Sequence, residues 1–294
     1  MCLRKYIFPI FVLILHLIME VKIQSCHISD FPSELTTENY SIVVWKGSGV
    51  FSVDDINYSY EGYTILFLSP YQKLKLSSKS DEEVSVLLFH GDYYCIEYHK
   101  EEVACNGLLF NNIYLNPGIE LTRENYVYIL ELFSYIKKEE SEKHQFSESI
   151  IKTYIQLILA ICSKQKSGLS SSSVSNEKLP NKNAVEFQKL LEAHFRNEKE
   201  LSFYSDKLNI TNNTLSKAVK KEFAKTPTQL INERIILESK KLLHLTYRSV
   251  KEIASELGFT DEFYFSRYFK KSVGCSPKNY REKVGISVVA KMSM

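Results

Sequence analysis

The sequence predicts an α+β chain in two parts: a front half of short strands forming a small sandwich or barrel, and an all-α back half. Three observations predict it. Between about residues 40 and 110, β-branched and aromatic residues run in short stretches broken by turn residues. After Thr122 the apolar period changes to that of a helix. A polar, serine-rich tract, Lys164 to Asn183, then separates a second helical region from the first. A chain of 294 residues is long enough for two domains and a linker.

The strands come first. YSIVVWKGSGVFSVDDINYSY (40–60) is punctuated by Gly47, Gly49 and the Asp54-Asp55 pair, which read as turn signals. TILFLSP reads as a buried strand ending at Pro70, KLKLSS alternates, and VSVLLFHGDYYCIEYH continues the pattern. Several short strands at this spacing suggest closure into a small barrel or sandwich. Next, RENYVYILELFSYIKK places Tyr126, Ile129, Leu130, Phe133 and Ile136 on one helical face. A second helix, Phe146 to Cys162, carries Ile150, Ile151, Tyr154, Ile155, Ile158 and Leu159. That stripe is wide, and it reads either as core or as a helix-packed dimer seam. The tract Lys164–Asn183 has no apolar period and contains Pro180, the composition of a flexible linker.

Charge divides the chain in the same place. The formal net charge is only +2, but from Asn183 onward there are 20 Lys and Arg against 13 Asp and Glu, a net of +7. The remainder has 17 against 22, a net of −5. An acidic front and a basic back suggest that the back half alone meets a polyanion.

The back half contains an internal duplication. LSFYSDKLNITNNTLSKAVKKEFAKTP (201–227) resembles VKEIASELGFTDEFYFSRYFKKSVGCSP (250–277). Lys220-Lys221 and Pro227 correspond to Lys270-Lys271 and Pro277 at an offset of 50, with one residue inserted upstream. One supersecondary unit is therefore used twice, each copy a short helix, a sharp turn and a second helix. Ser249 and Glu252 form a capping box that starts the third of these four helices. Gly258 ends it, because the residue after a helix often takes positive φ; Asn209 holds that place in the first copy. Thr211 and Thr260 read as N-caps of the second helix of each unit.

In the second copy, Phe265, Tyr268 and Phe269 turn inward with Phe259. Glu262, Phe263, Ser266, Arg267 and Lys270 are left on the outer face, with Asp261 and Glu262 in the first turn where the helix dipole favours acids. Such a helix suits a major groove. Arg can pair bidentately with guanine, Glu can accept from a cytosine amine, and paired lysines can neutralise phosphates. One amphipathic helix would be an ordinary surface helix; two with matching caps, turns and basic ends favour DNA.

Residues 184–287 thus resemble the DNA-binding domain of AraC-type (AraC/XylS) bacterial transcription regulators. KEIASELGFTDEFYFSRYFKKSVGCSPKNYR carries that family's signature almost throughout, and the first copy fits more loosely. The resemblance implies that a long helix, about Thr228 to Leu243, joins the units, and that both recognition helices enter successive major grooves on one face of double-stranded DNA. Mapped by motif, the base-facing residues are Asn213, Ser216 and Lys217 in the first unit, and Glu262, Phe263, Ser266 and Arg267 in the second. Phe263 departs from the polar residue often found there; it contacts a thymine methyl or packs sideways. Lys220, Lys221, Lys270 and Lys271 are implied phosphate contacts. The front half, YSIVVWKGSGVFSVDDINYSYEGYTILFLSPYQKLKL, is similar to the opening of the family's cupin-like β-barrel, which implies a small-molecule effector and a homodimer. RNA polymerase is a further partner implied by the family. The resulting domains are 19–165 for sensing and dimerisation, 166–183 as linker and 184–287 for DNA binding.

Several classes are disfavoured. His27, His90 and His99 do not supply the His-x-His cluster of a metal-binding cupin, so neither metal nor cofactor is expected. An enzyme carrying a DNA-binding appendage would need a cysteine cluster, a catalytic Ser/His/Asp arrangement or a phosphate loop, and none is legible. The six cysteines lack zinc-type spacing and read as reduced thiols of a cytoplasmic protein, with a redox role open for Cys95 or Cys105. At the start, Arg4 and Lys5 followed by Tyr6–Met19 resemble a signal peptide, yet the apolar run is short for a membrane span and Met19 is an ordinary cytosolic start. Residues 1–18 are expected to come from an upstream start. The alternative is a membrane-tethered sensor-regulator anchored by residues 6–19.

Overall fold

The computed structural model describes residues 21–78, 81–91, 93–94, 108–110, 112–172 and 181–286. The leader, Cys95, His99 and Cys105 lie outside them, and so does the tail of the last predicted strand. The fold is α+β, and the chain divides into two compact units: Met1–Tyr94 with Gly118–Leu159, and Cys95–Pro117 with Ala160–Met294.

The first unit is built on one six-stranded antiparallel sheet. Its strands are β1 (Lys22–His27), β2 (Tyr40–Val53), β3 (Ile56–Leu68), β4 (Leu74–Ser78), β5 (Glu83–Phe89) and β6 (Gly118–Leu121). They lie in the order β1-β5-β2-β3-β6, with β4 also paired to β2. The β2–β3 hairpin turns at Asp54 and Asp55, whose φ values of 50 and 65° are those of a type I′ turn. On its other side β2 changes partner. Tyr40–Trp45 pair with β5 and Gly49–Val53 with β4, so the strand bends between them.

That bend corrects the reading of Gly47 and Gly49 as turn signals, since both are interior to β2. Gly47 (φ 126°) sits opposite Gly62 (φ 85°). A Cβ on Gly49 would lie 2.2 Å from the Ser77 carbonyl oxygen of β4. Strand-interior glycines mark a bend and a close backbone approach.

The bent sheet encloses a core centred on Trp45, whose ring meets Phe51 at 5.6 Å and Tyr60 at 5.4 Å, edge to face. Ile42, Val44, Ile65, Phe67 and Leu87 on the opposite face are buried too. This is why TILFL reads as a continuous apolar run rather than an alternating one. Helix α1 (Arg123–Glu142) starts at Thr122, whose side chain caps the Asn125 N–H. It buries Tyr126, Ile129, Leu132, Phe133 and Ile136, and Tyr126 packs on Tyr63 of β3 at 4.7 Å. Leu132, not Leu130, completes the buried face.

Helix α2 runs Ser147–Ser172, so the linker read as opening at 164–166 is corrected: residues 166–172 are still helix. Cys162, Ser163 and Lys166 are buried and extend the stripe, because burial on one face sustains a helix whose intrinsic propensity is low. A lysine and serines in a polar tract hid that stripe. Burial pushes the Lys166 ammonium down to about 8. Among the described residues no helix is long and apolar enough to cross a membrane.

The second unit is helical: α3 (Lys182–His194), α4 (Leu201–Lys207), α5 (Asn212–Phe223), α6 (Pro227–Leu245), α7 (Val250–Glu256), α8 (Glu262–Val273) and α9 (Pro277–Val284). A strap preceding β6 belongs to it. Tyr114 donates to Glu192 Oε1 (2.7 Å) and packs on Phe223, while Lys225 Nζ donates to the Ile113 carbonyl (3.0 Å) and to Glu233 (2.7 Å). Lys225 is thereby buried without losing its charge partners. Its counterpart in the duplication, Cys275, is simply a buried small residue.

Candidate nucleic-acid interface

The two repeated units share their helix lengths and the hydrogen bonds of their turns. α4 and α7 are both seven residues long, and α5 and α8 are both twelve. Both turns are Schellman motifs. Asn209 (φ 54°) donates to Asp206 O while Ile210 donates to Ser205 O; Gly258 (φ 67°) donates to Ser255 O while Phe259 donates to Ala254 O. The left-handed residue reverses the chain, and the apolar residue after it, Ile210 or Phe259, plugs the corner. Gly258 meets a second constraint, for a Cβ there would lie 2.4 Å from the Arg196 carbonyl oxygen.

The start of each outer helix is fixed by a side-chain cap. Thr211 accepts from the Thr214 N–H. In the second copy the cap is Asp261, not Thr260: its carboxylate accepts from the Phe263 (3.0 Å) and Tyr264 (2.9 Å) N–H groups. A carboxylate adds dipole stabilisation to the cap, and the extra turn residue shifts the start by one. Asp261 therefore spends its charge on the helix.

Burial separates the faces of α5 and α8. Leu215, Ala218 and Val219 point in from α5, and Phe265, Phe269 and Val273 from α8. Phe259 meets Phe265 at 5.2 Å, and Phe269 meets Tyr280 of α9 at 5.6 Å. Tyr268 is half-buried and donates to Asn232 of α6 (2.8 Å); burial pushes its phenol above the ordinary range. Outside, Asn213, Lys217, Lys220 and Lys221 of α5 are exposed, as are Phe263, Arg267, Lys270 and Lys271 of α8. Ser216, Glu262 and Ser266 are half-buried. The eleven residues singled out from sequence thus lie on two equivalent helices, eight of them fully at the surface. Thr214 and Tyr264 were missed. Both are exposed in the first turn, and the 50-residue offset that pairs them was the available signal.

Helix α6 holds the two units together. Its Glu238 receives Arg196 (2.7 Å) and Arg234 (3.1 Å), and Arg234 also reaches Glu192 (2.8 Å) while its guanidinium lies 3.8 Å over the Phe195 ring. At the far end Arg281 of α9 donates to the Leu243 (3.0 Å) and Arg248 (2.6 Å) carbonyls, closing the open end of α6. His244 Nδ1 lies 3.0 Å from the Gly285 carbonyl. These bonds tie α3 and α9 to α6, and the Tyr268–Asn232 bond ties α8 to it as well. Among the described residues no group of His, Cys, Asp and Glu could hold a metal ion.

A family model described as a helix-turn-helix domain matches residues 204–283. The HTH-type transcriptional regulator ExsA of Pseudomonas aeruginosa is 30% identical over 104 residues, 35% of this chain and 37% of that protein. The uncharacterized HTH-type transcriptional regulator YisR of Bacillus subtilis is 24% identical over 257 residues, 84% of this chain and 86% of that one. The HTH-type transcriptional activator RhaS of an Enterobacter species is 26% identical over 145 residues, 49% of each chain. Two of these three matches span half or less of the relative's length. All three relatives are named as regulators, none as an enzyme. Residues 204–283 thus carry a helix-turn-helix domain, and the chain is similar over that region to proteins named as transcription regulators.

Proposed function

We propose that this protein binds DNA sequence-specifically and activates transcription, with α5 and α8 inserted in successive major grooves. The observation that carries the reading is the repetition of a capped, twelve-residue helix whose outer face ends in two lysines, the two copies joined by α6. Asn213, Ser216 and Lys217 face bases in the first unit, and Glu262, Phe263, Ser266 and Arg267 in the second. Lys220, Lys221, Lys270 and Lys271 meet phosphates. The name of the RhaS relative supports activation, and activation implies contact with RNA polymerase.

The front unit senses an effector and dimerises. Trp45 Nε1 and Tyr60 OH are buried within the aromatic core with no hydrogen-bond partner, groups that a polar effector would satisfy. Val127, Tyr128 and Tyr135 stand exposed on α1, and Ile150 on α2. They supply an apolar face for a second copy.

The test is a binding assay on duplexes selected from a random pool. Arg267→Ala should cost about 1–3 kcal/mol and relax base preference at one position. Lys270→Ala should weaken binding to every sequence and lower the salt slope by about one unit. An Arg267→Ala protein with unchanged affinity and preference would refute the assignment of α8.

A further inference from the structure

The duplication aligns Asn213 with Phe263 and Thr214 with Tyr264. These are first-turn positions, the part of a recognition helix that reaches base edges. Two polar side chains thus stand in one unit where two aromatic rings stand in the other. Phe263 is 67% exposed and Tyr264 53%. Tyr264 leans on Phe259 at 5.9 Å. The Phe263 backbone is pinned by the Asp261 cap, so its ring is carried outward by the helix on a fixed stem. On the same helix Arg267, Lys270 and Lys271 are exposed, which sets the ring on the cationic face and not on a separate apolar patch.

Sideways packing, the other possibility open from sequence, does not account for a ring this exposed. An apolar ring at a base edge has one good partner in the major groove, the C5-methyl of thymine. An amide at the equivalent position has a different one, the N6/N7 edge of adenine.

We propose that Phe263 is a specificity-determining residue that reads a thymine methyl. The inference rests on the proposed reading of α8 as a recognition helix.

The experiment uses the full chain. Wild type, Phe263→Ala and Asn213→Ala are each used to select duplexes from a random pool. The duplex that wild type prefers is then rebuilt with deoxyuridine in place of each thymine in turn, which removes the methyl and keeps O4. For wild type, one substitution in one half-site should weaken binding roughly fourfold, the value of one buried methyl group. Phe263→Ala should be insensitive to that substitution and should lose preference at that position alone. Asn213→Ala should lose preference in the other half-site and keep the methyl dependence. If Phe263→Ala selects the same thymine with the same methyl dependence, or wild type binds every deoxyuridine duplex equally well, the inference is overturned while DNA reading survives. That result would leave the ring to a protein partner. If wild type selects no sequence at all, the reading of α8 fails and the inference falls with it.

Discussion

Replacing Gly258 by alanine tests how the second unit is held. Two costs are separable there. The residue has φ 67°, in the left-handed region, where a Cβ costs about 1–2 kcal/mol. The new Cβ would also lie 2.4 Å from the Arg196 carbonyl oxygen, a backbone atom at the end of α3 that cannot swing away. Forcing such a contact apart costs roughly 1–3 kcal/mol. Gly274 provides the control. It ends α8 with φ 93°, and a Cβ there meets nothing within 4 Å, so alanine carries the backbone cost alone. The assay is urea unfolding of the full chain followed by helical circular dichroism. Gly258→Ala should destabilise the helical unit by about 2–5 kcal/mol, and Gly274→Ala by about 1–2 kcal/mol. In thermal melts the first should lower the midpoint by on the order of 10 °C or more. Equal shifts for the two variants would refute the claim that this turn is wedged against the end of α3.

Two further outcomes follow from the same unit. Burial alone would push the Glu238 carboxyl up, but hydrogen bonds and charge from Arg234 and Arg196 outweigh it and hold the group below its ordinary range. A depressed carboxyl stabilises the fold above its unfolded value of about 4.3, and that contribution is lost as pH falls through the folded value. Urea midpoints measured from pH 7 to pH 3 should therefore drop on the acid side for wild type and drop less for Glu238→Gln; parallel curves would count against this network. Ser249→Ala removes the cap of α7, where Ser249 Oγ accepts from the Glu252 N–H and the Glu252 carboxylate accepts from the Ser249 N–H (2.7 Å). Its cost should be about 1 kcal/mol in urea unfolding, and no measurable change would mean that tertiary packing alone fixes the start of α7.

Much of the helical unit is local chemistry and so is legible in the chain. The Ser249–Glu252 box, the left-handed Asn209 and Gly258, and the Thr-Pro and Ser-Pro helix starts at 226–227 and 276–277 each satisfy backbone groups a few residues away. The outer faces of α5 and α8 follow from helical period once those ends are fixed. The sheet is different, because its decisive contacts are distant in sequence. Gly47 and Gly49 look like turn residues until β2 is seen to change partners from β5 to β4 between them.

What the sequence determined by itself was the two-part organisation, the doubled helical unit and the side chains on its outer helices, since periodicity and capping act over one or two turns. Only the tertiary structure decided that α2 runs on into the polar tract, why Lys225 can be buried against Ile113 and Glu233, and how α6 is held at Glu238 and at its C-terminal end. Those outcomes depend on partners dozens of residues away, and burial of a shared surface outweighs the local preference of a polar tract or a lone lysine.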